Sequence, residues 1–245
     1  MSAGPHLPGR LVDVWIYLAA SPLLWLTLTL AAYAVAIRIA AATRQSPIAN
    51  PVLIAAAILI ALLNLTETSY ETYFAGAQFV HFLMGPATVA LAVPLYRHAD
   101  LVRQALWPLL AALVAGSLTA ILSAILIAWV LGAPPEIIVS LAPKSVTTPI
   151  AMSLAAALGG IPSLTAVLVI ATGICGAMML TPLTRLLGVT DPAAQGFAAG
   201  VAAHGIGTAR AFHVSTVAGT FAGVAMALNG AMTSLLLPAL ALLWR

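Results

Sequence analysis

Apolar side chains make up 62% of this 245-residue sequence, while Asp, Glu, Lys and Arg together make up only 6%. An average soluble domain is about 25% charged, so this composition excludes an ordinary soluble protein and predicts an integral membrane protein. The formal net charge of +3 comes mostly from arginines beside the apolar stretches, which is typical of membrane anchoring and gives no reason to expect nucleic-acid binding.

The apolar residues fall into roughly seven or eight stretches of about 20 residues, the length that a membrane-spanning helix needs. These stretches are continuous and do not alternate with polar residues, so they predict helices and not a barrel. We therefore expect an all-α, polytopic helical bundle with broken or re-entrant helices that forms a single domain over residues 1–245, with residues 1–20 as an interfacial lead-in.

In chain order, the first three spans are expected at about 21–41, 51–65 and 77–96, with a helix break at Pro86 in the third. Later spans are expected at about 106–131, 137–158, 162–187 and 217–244. The segment "FAAGVAAHGIGTARAF" before the last span is too glycine-rich and polar for an ordinary lipid-facing helix. "FAGAQFVH" (74–81) also resembles "FAAGVAAH" (197–204). This indicates an internal repeat of the kind found in secondary transporters, and the sequence leaves open whether the repeat is inverted.

Arginines near span ends predict the orientation, because cytoplasmic loops carry the excess of positive charge. Arg38, Arg44, Arg97 and Arg103 all fall on one side when the spans are counted, so we expect that side in the cytoplasm and the N-terminus outside. In this count Arg185 is an exception that lies outside.

The only lysine of the chain, Lys144, lies inside the expected fifth span, in the string "APKSVTTPIAM". A charge at membrane depth usually faces a water-filled cavity or the protein interior. Pro143 and Pro149 disfavour regular helix, and Ser145, Thr147 and Thr148 add hydroxyl groups. Broken backbone, hydroxyls and a cation together predict a binding site for an anion.

A second polar segment, "AAHGIGTARA", contains His204, Thr208 and Arg210, with Gly205 and Gly207 between them. The glycines predict a helix break or a re-entrant turn. The planar guanidinium of Arg210 suits a carboxylate, and His204 would titrate near neutral pH if transport is coupled to protons. No motif in the sequence indicates an enzyme, a metal site or a cofactor, so a coupling H⁺ or Na⁺ is the only ion expected.

Each polar residue also has a simpler interpretation. Lys144 is an interfacial loop residue if the fifth stretch does not span, and Arg210 is an ordinary charge flanking the last helix. His204 alone is more often structural than ligand-binding. We interpret Asn229 as a residue that hydrogen-bonds between packed helices.

The strings "PKSVTTPIAM" and "HGIGTARA", together with "SYETYFAGAQFVHFLMGPATVALAVPLYR" and "GGIPSLTAV", resemble the LrgB/CidB family from about residue 21 onward. The resemblance implies a multi-pass bacterial inner-membrane protein that works with a smaller LrgA/CidA-type membrane partner. Family members are described either as antiholin-like or holin-like modulators of murein hydrolase activity and autolysis, or as carriers of glycolate, glycerate or pyruvate.

From the residues and the resemblance together we expect a secondary transporter of small monocarboxylates or 2-hydroxycarboxylates, acting as a homo-oligomer in the lipid bilayer. Its site residues would be Lys144, Ser145, Thr147, Thr148, His204, Thr208 and Arg210. The alternative is an antiholin-like or holin-like regulator in which the same motifs serve helix packing.

Overall fold

The computed structural model describes residues 21–43, 49–83, 86, 89–90 and 92–243, and all regular secondary structure in these ranges is helical. This confirms the predicted all-α class. The chain divides into two compact units, Met1–Ala90 and Leu91–Arg245, each described by itself below. The lead-in 1–20 lies outside the described residues. So do residues 84–85 and 87–88, on either side of the break expected at Pro86. Both stay predictions, as does the single-domain organisation.

Three helices of the first unit are α1 (Pro22–Ala42), α2 (Pro51–Leu65) and α3 (Tyr70–Phe82). Helices α1 and α2 each begin with a proline, which is suited to the first turn because its nitrogen needs no hydrogen-bond partner there. Asn50 caps α2 by accepting a hydrogen bond of 2.8 Å from the amide of Val52. The buried indole of Trp25 packs edge-on against Tyr73, which joins α1 to α3.

The second unit contains α4 (Ala92–Arg97), α5 (Ala99–Gln104), α6 (Leu106–Val130), α7 (Pro135–Leu141), α8 (Thr148–Leu158), α9 (Pro162–Leu186), α10 (Pro192–Val214) and α11 (Thr216–Leu243). Across the described residues of both units, four helices are long and apolar enough to cross a membrane, namely α1, α6, α9 and α11. They match the spans expected at about 21–41, 106–131, 162–187 and 217–244. The total of seven or eight spans stays a prediction.

The expected fifth span, 137–158, is a helical hairpin that enters and leaves by the same end. Leu158, the last residue of α8, packs in the same cluster as Ala142, which lies before α8 begins. Helix α8 has 11 residues and is about 16 Å long. Its far end can return to the cluster of Ala142 only if the chain reverses direction at the stretch 142–147. We call residues 135–158 the first hairpin and 142–147 its tip. Pro143 lies in the tip, whereas Pro149 lies in the first turn of α8 and starts that helix.

The glycine-rich segment forms a second hairpin, residues 192–214. Ala203 (φ −129°, ψ 15°) and His204 (φ 42°, ψ −132°) interrupt α10. Ala199 and Ala211 share one buried cluster, although a straight helix would hold them about 18 Å apart. The arms 192–202 and 205–214 therefore fold back on each other. Gly205 and Gly207 follow the break, and the lack of a side chain on Gly207 lets its arm approach the backbone of Ala199.

The two hairpins enter the second unit from opposite ends. Helix α6 runs parallel to α11, because Leu109 packs with Phe221 and Ser117 bonds Asn229. Helix α9 runs the other way. Its Val169 bonds His204 at the helix break that lies beside Asn229, whereas Leu180, later in α9, packs with Ala218 near the start of α11. Each of α6 and α9 has 25 residues and precedes a hairpin. Residues 106–158 and 162–214 thus form an inverted repeat, an arrangement common in secondary transporters.

This inverted repeat corrects the expected side of Arg185. Because the first hairpin does not cross, α6 and α9 are successive crossings in opposite directions. Arg185, near the end of α9, therefore lies at the same end of the unit as Arg103, just before α6. We call this the arginine end. Glu136, in the first turn of α7, lies at the other end.

Candidate functional site

A cavity of about 950 Å³ lies between α6, α9, the arm 192–202 and the tip of the first hairpin. Its lining is mostly Ala, Leu, Gly, Val and Phe, and its charged side chains are Lys144 and Asp191. Asp191 caps the N-terminus of α10 by accepting from the amide of Ala193 at 3.0 Å, and it is exposed at the arginine end. The cavity extends from Ala105, the residue before α6, along that helix to Ala120, a distance of about 22 Å. It therefore connects the arginine end to the tip.

Hydrogen bonds place the tip at the middle depth of the long helices. The side chain of Asn229, at the centre of α11, donates to the carbonyl oxygen of Ser145 at 3.1 Å. The same side chain accepts from the hydroxyl of Ser117, near the centre of α6, at 2.7 Å. Since α6 and α11 are both long and apolar enough to cross a membrane, Lys144 lies level with the middle of two candidate spans and not with their ends.

Lys144 is half-buried, and its Nζ donates to the hydroxyl of Ser145 at 3.2 Å. Both residues line the cavity. Thr147 precedes α8 as its N-cap residue with extended backbone, but its hydroxyl makes no capping bond. Thr147 and Thr148 are not among the residues that line this cavity. The structure thus brings one cation and one hydroxyl of the first motif to the cavity.

His204 and Thr208 use their polar atoms inside the protein. The carbonyl oxygen of Val169 can only accept, so Nε2 of His204 carries the proton and donates to it at 3.0 Å. The hydroxyl of Thr208 donates to the carbonyl of His204 at 2.8 Å. A Cβ on Gly173 would lie only 2.7 Å from Cε1 of His204, so the glycine makes room for the imidazole. Both residues are buried and neither lines the cavity.

Arg210 lies near the end of α10, on the arm that returns to the arginine end. It donates from its guanidinium to the hydroxyl of Thr181 in α9 at 3.2 Å. It is not one of the residues lining the cavity, so the described residues do not bring Lys144 and Arg210 together there. The described residues also hold no group of three His, Cys, Asp or Glu side chains that suits a metal ion. Binding roles for Arg210, His204, Thr147, Thr148 and Thr208 stay predictions.

Asn229 is a central residue that the sequence pointed to only weakly. Its side chain is 1% exposed, and besides its bonds to Ser145 and Ser117 it donates to the carbonyl of Val201 at 3.0 Å. It therefore contacts both hairpins as well as α6. The interpretation as an interhelical hydrogen-bonding residue agrees with this. The signal in the sequence was a lone amide in the middle of an apolar span, which does not reveal its partners.

Comparison with known proteins gives one family. The family model of the LrgB-like family matches residues 29–243, which cover both units. No solved structure matches the chain.

Several curated relatives cover most of the chain. "Uncharacterized protein YwbG" of Bacillus subtilis is 39% identical over 184 residues, or 75% of this chain and 82% of the relative. "Uncharacterized protein YxaC" of the same organism is 34% identical over 77% of this chain and 82% of the relative. "Antiholin-like protein LrgB" of Bacillus cereus is 29% identical over 77% of this chain and 82% of the relative.

Proposed function

The chain belongs to the LrgB-like family of membrane proteins, and from this premise we propose that it is a carrier of small organic anions that bind at Lys144. The observation behind the proposal is a half-buried lysine at mid-membrane that faces a largely apolar cavity. Keeping a cation at this depth costs free energy, so such residues usually serve transport or binding.

The charges of the cavity favour a monoanion. Among the described residues, Lys144 is the only cationic side chain that lines it, and Asp191 adds a negative charge at the arginine end. A second carboxylate on the substrate would lie in apolar surroundings without a partner, which is costly. This supports a small monocarboxylate or 2-hydroxycarboxylate as the substrate, with the hydroxyl of Ser145 as a further hydrogen-bonding group.

The arrangement of the hairpins supports a carrier. Two hairpins that enter from opposite ends meet at mid-membrane, where Val169 of α9 packs against Val146 and bonds His204. In transporters built from inverted repeats, such a central site is exposed alternately to the two sides. The cavity reaches Lys144 from the arginine end, which the positive-inside rule assigns to the cytoplasm of a bacterial inner membrane.

The test is uptake of labelled pyruvate or glycolate by purified protein in liposomes. Removing the lysine in Lys144→Ala removes a charge-assisted hydrogen bond, so the half-saturation concentration should rise roughly tenfold to hundredfold, or uptake should vanish. Arg103→Ala is the matched control, because Arg103 is highly exposed and forms an ion pair with the equally exposed Asp100. Both variants are compared at equal amounts of monodisperse protein. Unchanged saturable uptake in Lys144→Ala would remove this residue from the site.

A second candidate function follows from the printed name of a relative. The Bacillus cereus protein is named antiholin-like, so this chain is also a candidate regulator of murein hydrolase activity, acting with an LrgA-type membrane partner. The two candidates differ in how solutes cross. The flux through a carrier saturates with acid concentration and differs from one acid to another, whereas a pore formed by an oligomer leaks solutes without saturation. A carrier of this kind would use H⁺ or Na⁺ as its coupling ion. Flux measured against acid concentration, with the chain alone and with the partner, separates them.

A further inference from the structure

Asn229 joins three of the elements that enclose the cavity, namely α6 and the two hairpins. Its carboxamide contacts Ser117 of α6, Ser145 of the first hairpin and Val201 of the second hairpin. Its side chain is 1% exposed and lies at the centre of α11. Three segments that are distant in sequence therefore meet at one amide group.

The chemistry of these contacts requires an amide. Two of the partners are backbone carbonyls, which only accept, so the NH₂ group must face Ser145 and Val201 while the oxygen accepts from Ser117. Among side chains of this size only asparagine has two donors and an acceptor on one planar group. Aspartate as a carboxylate has no donor, and leucine has no polar atom.

The two carbonyls lie at the places where the helices are broken. Ser145 belongs to the tip 142–147, and Val201 comes two residues before the non-helical Ala203. Helix breaks disturb the regular hydrogen bonds around them, and a carbonyl without a partner is costly at membrane depth. The Asn229 amide supplies donors to both breaks and so ties the two hairpins together.

From this network we infer that Asn229 is the positioning residue for anion binding at Lys144. The inference rests on the proposed function. Asn229 holds the Ser145 backbone, the Ser145 hydroxyl accepts from Nζ of Lys144, and Val201 is part of the cavity wall. Losing the amide releases the tip from α6 and from the second hairpin, so the lysine no longer has a fixed place against the bound anion.

Kinetic constants separate this role from a purely structural one. Replacing a residue that is needed only for folding lowers the amount of active carrier. The maximal uptake rate then falls and KM stays unchanged. Replacing a residue that positions Lys144 raises the KM of the protein that still folds. We expect Asn229→Ala and Asn229→Asp to raise KM for labelled pyruvate or glycolate at least about tenfold. Ser117→Ala, which leaves both amide donors in place, should raise it only about twofold to threefold.

Asn64→Ala is the matched control, because the Asn64 side chain is exposed and donates to the Ile60 carbonyl of its own helix, so KM should not change. If neither Asn229 variant yields folded protein, Ser117→Ala decides: an increased KM supports the inference, and a reduced maximal rate at unchanged KM overturns it. Unchanged KM in the Asn229 variants also overturns it. The absence of saturable uptake by the unaltered protein would instead reject the proposed function.

Discussion

The two hairpins of the second unit have the same place in the inverted repeat but use their polar residues differently. The first hairpin breaks over the stretch 142–147 and turns Lys144 and Ser145 toward the cavity. The second breaks over only Ala203 and His204, and its polar side chains bond to the protein itself. A wide break leaves side chains available to a solute, whereas a sharp one needs them to stabilise the turn.

The sharp break also depends on small residues in the neighbouring helix. His204 has a backbone conformation that residues other than glycine rarely adopt, and its imidazole fits against Gly173 of α9. Ala203 lies against Gly176 in the same helix. Both hairpins bond to Asn229, but close packing against the glycines of α9 is added at the break of the second.

The largest expected difference between the hairpins concerns anion binding. Arg210→Ala should raise the half-saturation concentration for labelled pyruvate less than about threefold, compared with the tenfold to hundredfold rise expected for Lys144→Ala. The reason is that Arg210 donates to Thr181 and does not line the cavity. Thr181→Val removes the same bond and should reproduce the small effect. A rise in Arg210→Ala as large as that in Lys144→Ala would place both hairpins in the anion site, as the sequence alone had suggested.

The second expected difference concerns stability. A Cβ on Gly176 would lie 2.6 Å from Cβ of Ala203, so Gly176→Ala must displace the break or α9. Overpacking of this kind costs about 1–3 kcal/mol, which lowers the unfolding midpoint by about 3–10 °C. Gly205→Ala is the matched control, because the nearest atom, Sδ of Met226, lies 3.9 Å from the added Cβ. Thermal unfolding in detergent measures both. Equal midpoints would show that the second break is not fixed by packing against α9.

The sequence predicted the long spans well, because continuous hydropathy is a local property. It also indicated both broken segments, since Pro143 and Gly205 are strong local signals. Re-entry of the first hairpin was not predictable, because residues 137–158 are long and apolar enough to span. Whether they cross or return depends on long-range contacts such as the hydrogen bond from the Ile161 amide to the Ser140 hydroxyl.

The site was predictable only in part, for a similar reason. Lys144 stands out as the single lysine of an apolar chain, and composition alone marks it. The separation of Arg210 from the cavity depends on which face of a folded-back arm it occupies, which no periodicity reveals. The partners of Asn229 are equally hidden, because Ser117 and Ser145 are far from it in sequence.

The smallest expected effect uses Cys175, the only cysteine of the chain, which is exposed in the wall of the cavity. A membrane-impermeant maleimide should label its thiol from the arginine end. Saturating pyruvate should slow this labelling by a factor of about three, because the bound anion occupies the space through which the reagent reaches the thiol. In Lys144→Ala the acid should give no protection. Two results would contradict this: equal labelling from both sides, or labelling of the unaltered protein that pyruvate does not slow. Either would mean that this cavity is not the anion path and that the contrast between the two hairpins has no bearing on transport.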